Sequence, residues 1–274
     1  MVIIINLKQN SPTMDYHSPR NSSSYKHKQR IRARHLARRR SDDFCEAYGD
    51  SALDSIAPFE REEIILGRRV GCGSFSSVYE ILAFNLRPDH QSDVYTKEQV
   101  KKRKATATSV KNGTKYVMKC LKGKVEESDD GDLFLDAAQD IVHEAEMLAT
   151  ISHQNIVQLH GVSASRHDAF LKGASEFFII LERLECTIAD TIEVWKKEKN
   201  SSNPKPRKSF SRLSSGSRAV GKLEKATISV DEGGSLNKCL RVATSLADAV
   251  EYLYSQGIIF RDLKPHKGLM SKEM

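Results

Sequence analysis

Apolar residues are sparse and irregular until about residue 63, and from there they fall into short, recurring runs. Residues 1–58 are rich in Ser, Asn, His and Arg and lack apolar periodicity, so they predict a disordered tail. Ile64-Ile65-Leu66-Gly67 and Ser77-Val78-Tyr79-Glu80-Ile81-Leu82 are β-branched or aromatic and loosely alternating. They predict two strands joined by a glycine turn. Residues 85–113 are polar, include Lys101-Lys102-Arg103-Lys104, and predict an exposed insertion. A third strand is predicted over 115–121. Over 133–151, Leu133, Ala137, Ile141, Ala145 and Leu148 recur at spacings of three and four, the mark of an amphipathic helix.

Two further strands are predicted at 156–162 and 177–181, then a short helix at 189–197. Residues 198–234, rich in Ser, Lys, Arg and Gly, predict a second, disordered insertion. A long helix follows over 236–255, with Leu240, Ala243, Leu246, Ala247, Val250 and Leu253 on one side and Gly257 placed to end it in a left-handed turn. Strands, one helix, strands, then helices: the order predicts an α+β unit with a small antiparallel sheet, followed by the start of a helical lobe.

Charge changes this picture less than its total suggests. The net charge is +7, but residues 20–40 carry nine Lys or Arg and no acid, and residues 196–225 carry ten against Glu198 and Glu224. The basic excess therefore sits in segments expected to be unfolded, and the foldable remainder is acidic. The five cysteines, Cys45, Cys72, Cys120, Cys186 and Cys239, are far apart with no CxxC pair, which suits reduced thiols in an intracellular protein, cytoplasmic or nuclear. Val2-Ile3-Ile4-Ile5 is too short for a signal-peptide core, and no run approaches the ~20 apolar residues of a membrane span. No membrane partner is expected.

Three stretches invite chemistry. Gly71-Cys72-Gly73-Ser74-Phe75-Ser76-Ser77-Val78 lies between the first two strands, where small residues let backbone N–H groups approach phosphate oxygens and Phe75 can cover them. The same residues also suit a plain tight hairpin. Lys119 sits in the third strand, and Glu144 and Glu146 on the helix after it. Near the end comes Phe260-Arg261-Asp262-Leu263-Lys264-Pro265.

Taken in order, these stretches resemble the eukaryotic protein kinases over roughly residues 62–265. The resemblance implies a protein-kinase-like N-lobe, a five-stranded antiparallel sheet plus one helix, over 59–184, and a partial helical C-lobe over 185–274, with ATP bound between them. In the ATP site it places Gly71, Cys72, Gly73, Ser74, Phe75, Ser76 and Val78 on the phosphates, with Ser76 where the family has a third Gly. Lys119 would grip the α- and β-phosphates, oriented by Glu144, which has the family's spacing, with Glu146 as competitor. Leu181-Glu182-Arg183-Leu184 resembles the hinge: Leu181 at the back of the adenine pocket, the backbone of Glu182 and Leu184 on adenine's polar edge.

Asp262 would accept the substrate hydroxyl's proton and Lys264 would neutralise charge on the γ-phosphate. Lysine two residues after that Asp is the serine/threonine form, and protein hydroxyls are the implied substrate. Phe260 replaces the usual His or Tyr. More seriously, the family's Asn ligand for Mg2+ falls at Lys267, and the Asp-Phe-Gly and Ala-Pro-Glu motifs are absent. The chain reads as a kinase cut off at its catalytic loop and weakly active or inactive as written, the alternative being a non-catalytic, nucleotide-binding or regulatory fragment. The basic tract at Arg30 to Arg40 suits a solvated tail, a nuclear-import signal or a nucleic-acid arm; without aromatic interleaving, nucleic acid is the weakest of these. Ser41, after Arg38-Arg39-Arg40, and Ser209, after Arg207-Lys208, are candidate acceptors for basic-directed kinases.

Overall fold

A computed structural model describes residues 2–3, 23–49, 51–87, 95–128, 131–201, 232–259 and 268–270. In chain order the strands are β1 (Val2–Ile3), β2 (Pro58–Phe59), β3 (Ile64–Cys72), β4 (Ser76–Phe84), β5 (Tyr116–Leu121), β6 (Leu159–Ser163), β7 (Phe178–Glu182), β8 (Cys186–Thr187) and β9 (Gly268–Met270). The α-helices are α1 (Ser23–Tyr48), α2 (Lys97–Lys111), α3 (Gly123–Glu126), α4 (Gly131–Thr150), α5 (Ile188–Ser201) and α6 (Glu232–Ser255). The chain divides into two units, Ile4–Leu184 and the pair of segments Met1–Ile3 and Glu185–Met274.

In the Ile4–Leu184 unit a six-stranded sheet runs in the order β2-β6-β7-β5-β4-β3. Five of its strands are antiparallel neighbours, and β2 adds a sixth that pairs in parallel with β6. The sheet is therefore mixed and six-stranded, where the sequence predicted five antiparallel strands. The extra strand is short enough to leave no periodicity. Phe59, fully buried, seats it over Gly161, where a Cβ would come within 2.7 Å of the Phe59 ring, so only glycine allows the approach.

Successive side chains of a strand point to opposite faces, and the registers Val78↔Lys119, Val117↔Leu181 and Lys119↔Ile179 gather Val78, Val117, Lys119, Ile179 and Leu181 on one face. The other face carries Tyr116, Met118, Cys120, Phe178 and Ile180 in a core with Phe59, Ile81 and Phe84. That core is closed by α2, whose Ala107 joins it, so the expected exposed insertion at 85–113 is in part a packed helix. Thr96 and Gln99 form a reciprocal capping box at its start, and Gly113 (φ +97°) follows its end.

The expected disordered tail over 1–58 also contains a helix. α1 packs along α4 and the 3₁₀ helix Arg166–Leu171 through a seam of Gln29, Ala33, Ala37, Ser41 and Phe44. Small residues at spacings of four let the two backbones approach closely, and this seam has little hydrophobicity to reveal it. Sandwiched between sheet and α1, α4 is buried nearly all round, and the N-lobe-like unit has three long helices where one was expected.

The second unit holds a three-stranded antiparallel sheet, β1-β9-β8. Ile188 and Val242 form a small core there with Cys186, Ile192, Trp195 and Leu246. The buried stripe of α6 is Val242, Ala249 and Leu253, while Leu240, from the predicted stripe, is exposed. Gly257 (φ +75°) ends α6, with Ile258 N donating to Leu253 O at 2.9 Å. Most of the predicted insertion at 198–234, from residue 202 to 231, lies outside the described residues.

Candidate functional site

Lys119 and Glu144 meet on the sheet face beside Val78. Lys119 Nζ donates to Glu144 Oε1 and Oε2 at 2.6 and 2.5 Å. The residues are 7% and 4% exposed, so the pair is desolvated and strongly directional. β5 fixes the lysine through ladders on both sides, and α4, pressed onto the sheet, brings the carboxylate to it. Glu146, the competitor, is turned to the far side of α4. It is 0% exposed and accepts hydrogen bonds from Ser41 Oγ and, at 3.2 Å, from Ser51 Oγ. Burial pushes its carboxyl up from the usual value, and the two serine hydroxyls pull it partly back.

The glycine turn closes with Gly73 N donating to Ser76 O at 2.9 Å, and Gly71 stands beside Val78, whose Cβ would lie 3.2 Å from a Cβ at Gly71. Cys72, Gly73 and Ser74 are exposed, and Phe75 and Ser76 are half-buried. A residue the sequence did not single out pins the turn: Lys122 N donates to Phe75 O at 2.9 Å, and its Nζ reaches Gly73 O and Ser74 O at 2.6 and 3.0 Å. Its position three residues after Lys119, just past the strand end, was the available signal.

Leu181 is buried on the same face as Lys119, one ladder position over, opposite Val117. Glu182 ends β7, its side chain accepting from Gln158 N at 3.1 Å, and Leu184 is the last residue of the unit. Gly71, Val78, Lys119, Glu144 and Leu181 thus belong to one unit and one region of sheet. Asp262, Lys264 and Lys267 lie outside the described residues.

Three half-buried titratable groups on α4 and β6 have shifted values. Burial holds the His143 and His160 imidazoles down to about 4, with the Arg40 charge adding to the effect at His143. Burial, with the neighbouring Asp136 and Glu144, raises Asp140 to about 6. A histidine depressed in the fold favours folding above its unfolded value near 6.5, and that contribution is lost as pH falls towards 4. Asp140 acts oppositely, favouring the fold as pH falls through about 6. With two histidines against one aspartate, and partial exposure discounting both, stability is expected to fall by about 2 kcal/mol between pH 7 and pH 5. Urea midpoints measured across that range test this; a midpoint unchanged or higher at pH 5 contradicts it.

The family model of the protein kinase domain matches residues 99–274, more than half of the chain. The chain therefore belongs to the protein kinase family. The match begins in α2, beyond the glycine turn. Comparison with curated proteins gave no match. Kinase domains use ATP and Mg2+, and the residues here fit the two unequally. The Lys119–Glu144 pair and the glycine turn suit a triphosphate. For the metal, no group of three or more His, Cys, Asp or Glu side chains that could hold an ion exists among the described residues, and Lys267 stands where the family has Asn. Among the described residues no helix is long and apolar enough to cross a membrane.

Proposed function

We propose that this kinase binds ATP over the Lys119–Glu144 pair and is of the serine/threonine type, acting on protein hydroxyls. The observation that carries the reading is the buried contact of Lys119 with Glu144 on the face that also bears Val78 and Leu181. A lysine so held presents a fixed cation to phosphate oxygens, and Gly71, Cys72, Gly73, Ser74, Phe75 and Ser76 supply a backbone able to close over them. Leu181, with the backbone of Glu182 and Leu184, is assigned to adenine. Residues 59–184 take the role of the N-lobe and 185–274 that of the C-lobe.

In the transfer step the substrate oxygen bonds to the γ-phosphorus, the bond to the β-phosphate bridge breaks, and ADP leaves. Asp262 takes the hydroxyl proton and Lys264 offsets charge on the moving phosphoryl group. These two roles, and the serine/threonine type, rest on the sequence Arg261-Asp262-Leu263-Lys264. Five free cysteines suit an intracellular setting, cytoplasmic or nuclear. Two of the six arginines of α1 engage protein carboxylates, Arg30 with Glu126 and Arg34 with Asp168, which supports protein rather than nucleic-acid contacts for that part of the tract.

A second reading, nucleotide binding with little or no transfer, is favoured by Lys267 at the magnesium position. Titration with ATP, followed by thermal shift with and without magnesium, tests the first claim. Saturable binding is expected, weakened by about tenfold or more in Lys119→Met, as loss of a charge-assisted contact implies. Absence of binding in the unaltered chain overturns both readings. Labelled-phosphate transfer to a protein substrate then separates them: rates in the ~1–100 per second range of active kinases exclude the non-catalytic reading.

A further inference from the structure

Ser41 combines two features that pull in opposite directions. It follows Arg38-Arg39-Arg40, of which Arg38 and Arg39 are exposed, the pattern that basic-directed serine kinases read. Yet it is only 5% exposed, with its Oγ donating to Glu146, which is itself fully buried. The serine lies mid-helix in the α1 seam between Ala37 and Phe44. A kinase acts on an acceptor it can surround, so Ser41 becomes accessible only when α1 lifts from α4.

We propose that Ser41 is a phosphorylation site whose modification traps α1 off α4. The step is ordinary group transfer: a basic-directed kinase bonds the γ-phosphorus of ATP to Ser41 Oγ, the bridge to the β-phosphate breaks, the hydroxyl proton passes to that kinase's base, and ADP departs. The product cannot redock. Ser41 Oγ and Glu146 Oε1 are already in contact, both residues are buried, and a dianion would face the Glu146 carboxylate. A cation acting on Glu146 is Arg166, whose Nη2 is held by Leu53 O at 2.7 Å and which also faces Asp54. One guanidinium does not offset a phosphate and two carboxylates. Phosphorylation therefore releases the helix that backs α4, on the side opposite Glu144, since positions two apart on a helix lie about 200° apart.

The test uses the full chain and does not depend on its own ATP binding or activity. A purified basic-directed serine kinase and ATP are applied to the unaltered chain and to Ala37→Asp, which forces α1 off. Mass spectrometry is expected to find phosphate on Ser41 in both, and faster in Ala37→Asp. Hydrogen exchange of residues 23–48 is then compared for the unaltered, phosphorylated, Ser41→Ala, Ser41→Asp and Ser41→Asp/Glu146→Gln chains. Exchange is expected to rise about a hundredfold in the phosphorylated and Ser41→Asp chains, as like charges pressed together imply. It should stay near the unaltered level in Ser41→Ala and return towards it in the double variant. Ser41 left unmodified in Ala37→Asp overturns the proposal. So does unchanged protection after phosphorylation, failure of Glu146→Gln to rescue, or loss of protection in β5 and β7 together with α1, which would make α1 part of the folding unit.

Discussion

Glu144→Ala is expected to lower the unfolding free energy by about 3–5 kcal/mol, the range seen when one partner of a buried ion pair is removed. The cost does not come from the attraction that is lost. It comes from Lys119, left 7% exposed on a strand whose neighbours on the same face, Val78, Val117, Ile179 and Leu181, are apolar and offer its ammonium no acceptor. Lys119→Met/Glu144→Leu removes both charges and is expected to be close to the unaltered chain in stability, because a well-packed apolar pair replaces a desolvated ionic one. The same double variant is expected to bind no ATP. Chemical denaturation alongside ATP titration thus separates what the pair does for the fold from what it does for the nucleotide. A loss below about 1 kcal/mol in Glu144→Ala would mean that the lysine escapes to solvent, and the site would have to be redrawn.

The parts of this site that were legible in the sequence are those whose chemistry is carried by local pattern. The glycine turn lies between two runs of β-branched residues, Lys119 sits in a short strand, and α4 announces itself by Leu133, Ala137, Ile141, Ala145 and Leu148. The family's spacing favoured Glu144 with Glu146 as competitor; in the fold Glu144 lies on the side of α4 that meets β5, while Glu146 meets serines of the N-terminal segment. That partner could not be anticipated. α1 carries its seam on Gln29, Ala33, Ala37 and Ser41, residues that bury little apolar surface, so its helix reads as a charged tail until Glu126 of α3 and Asp168 of the Arg166–Leu171 turn supply carboxylates for Arg30 and Arg34. α2 was hidden for a related reason: its central core residue is an arginine. Hydrophobic periodicity finds a helix that buries hydrocarbon, and neither of these does so in the usual measure.

Arg103→Met is therefore expected to be among the most damaging single changes in the chain, at about 2–4 kcal/mol. Arg103 is 0% exposed, and its Nη2 donates to both Glu63 oxygens at 2.7 and 2.9 Å while Nη1 donates to Pro58 O. Its guanidinium also lies 5.1 Å from the Phe59 ring centre and 4.4 Å from that of Tyr95, contacts worth about 0.5–1 kcal/mol each or more when desolvated. Methionine keeps much of the volume and none of the charge, so the measured loss reports the ionic and hydrogen-bonding role. Glu63 would keep two amide donors, Glu60 N at 3.0 Å and Arg87 N at 3.3 Å, which is why the expected cost falls below that of Glu144→Ala. Lys101→Ala is the control, since that side chain is exposed on the same helix, so little change is expected. Denaturation together with hydrogen exchange of residues 97–111 decides the matter. If Arg103→Met leaves both unchanged, α2 is held by Ala107 and its neighbours in the apolar core and the arginine is incidental. If α2 loses protection while β5 and β7 keep theirs, one buried cation fastens a polar helix over the core side of the sheet, away from the Lys119 face.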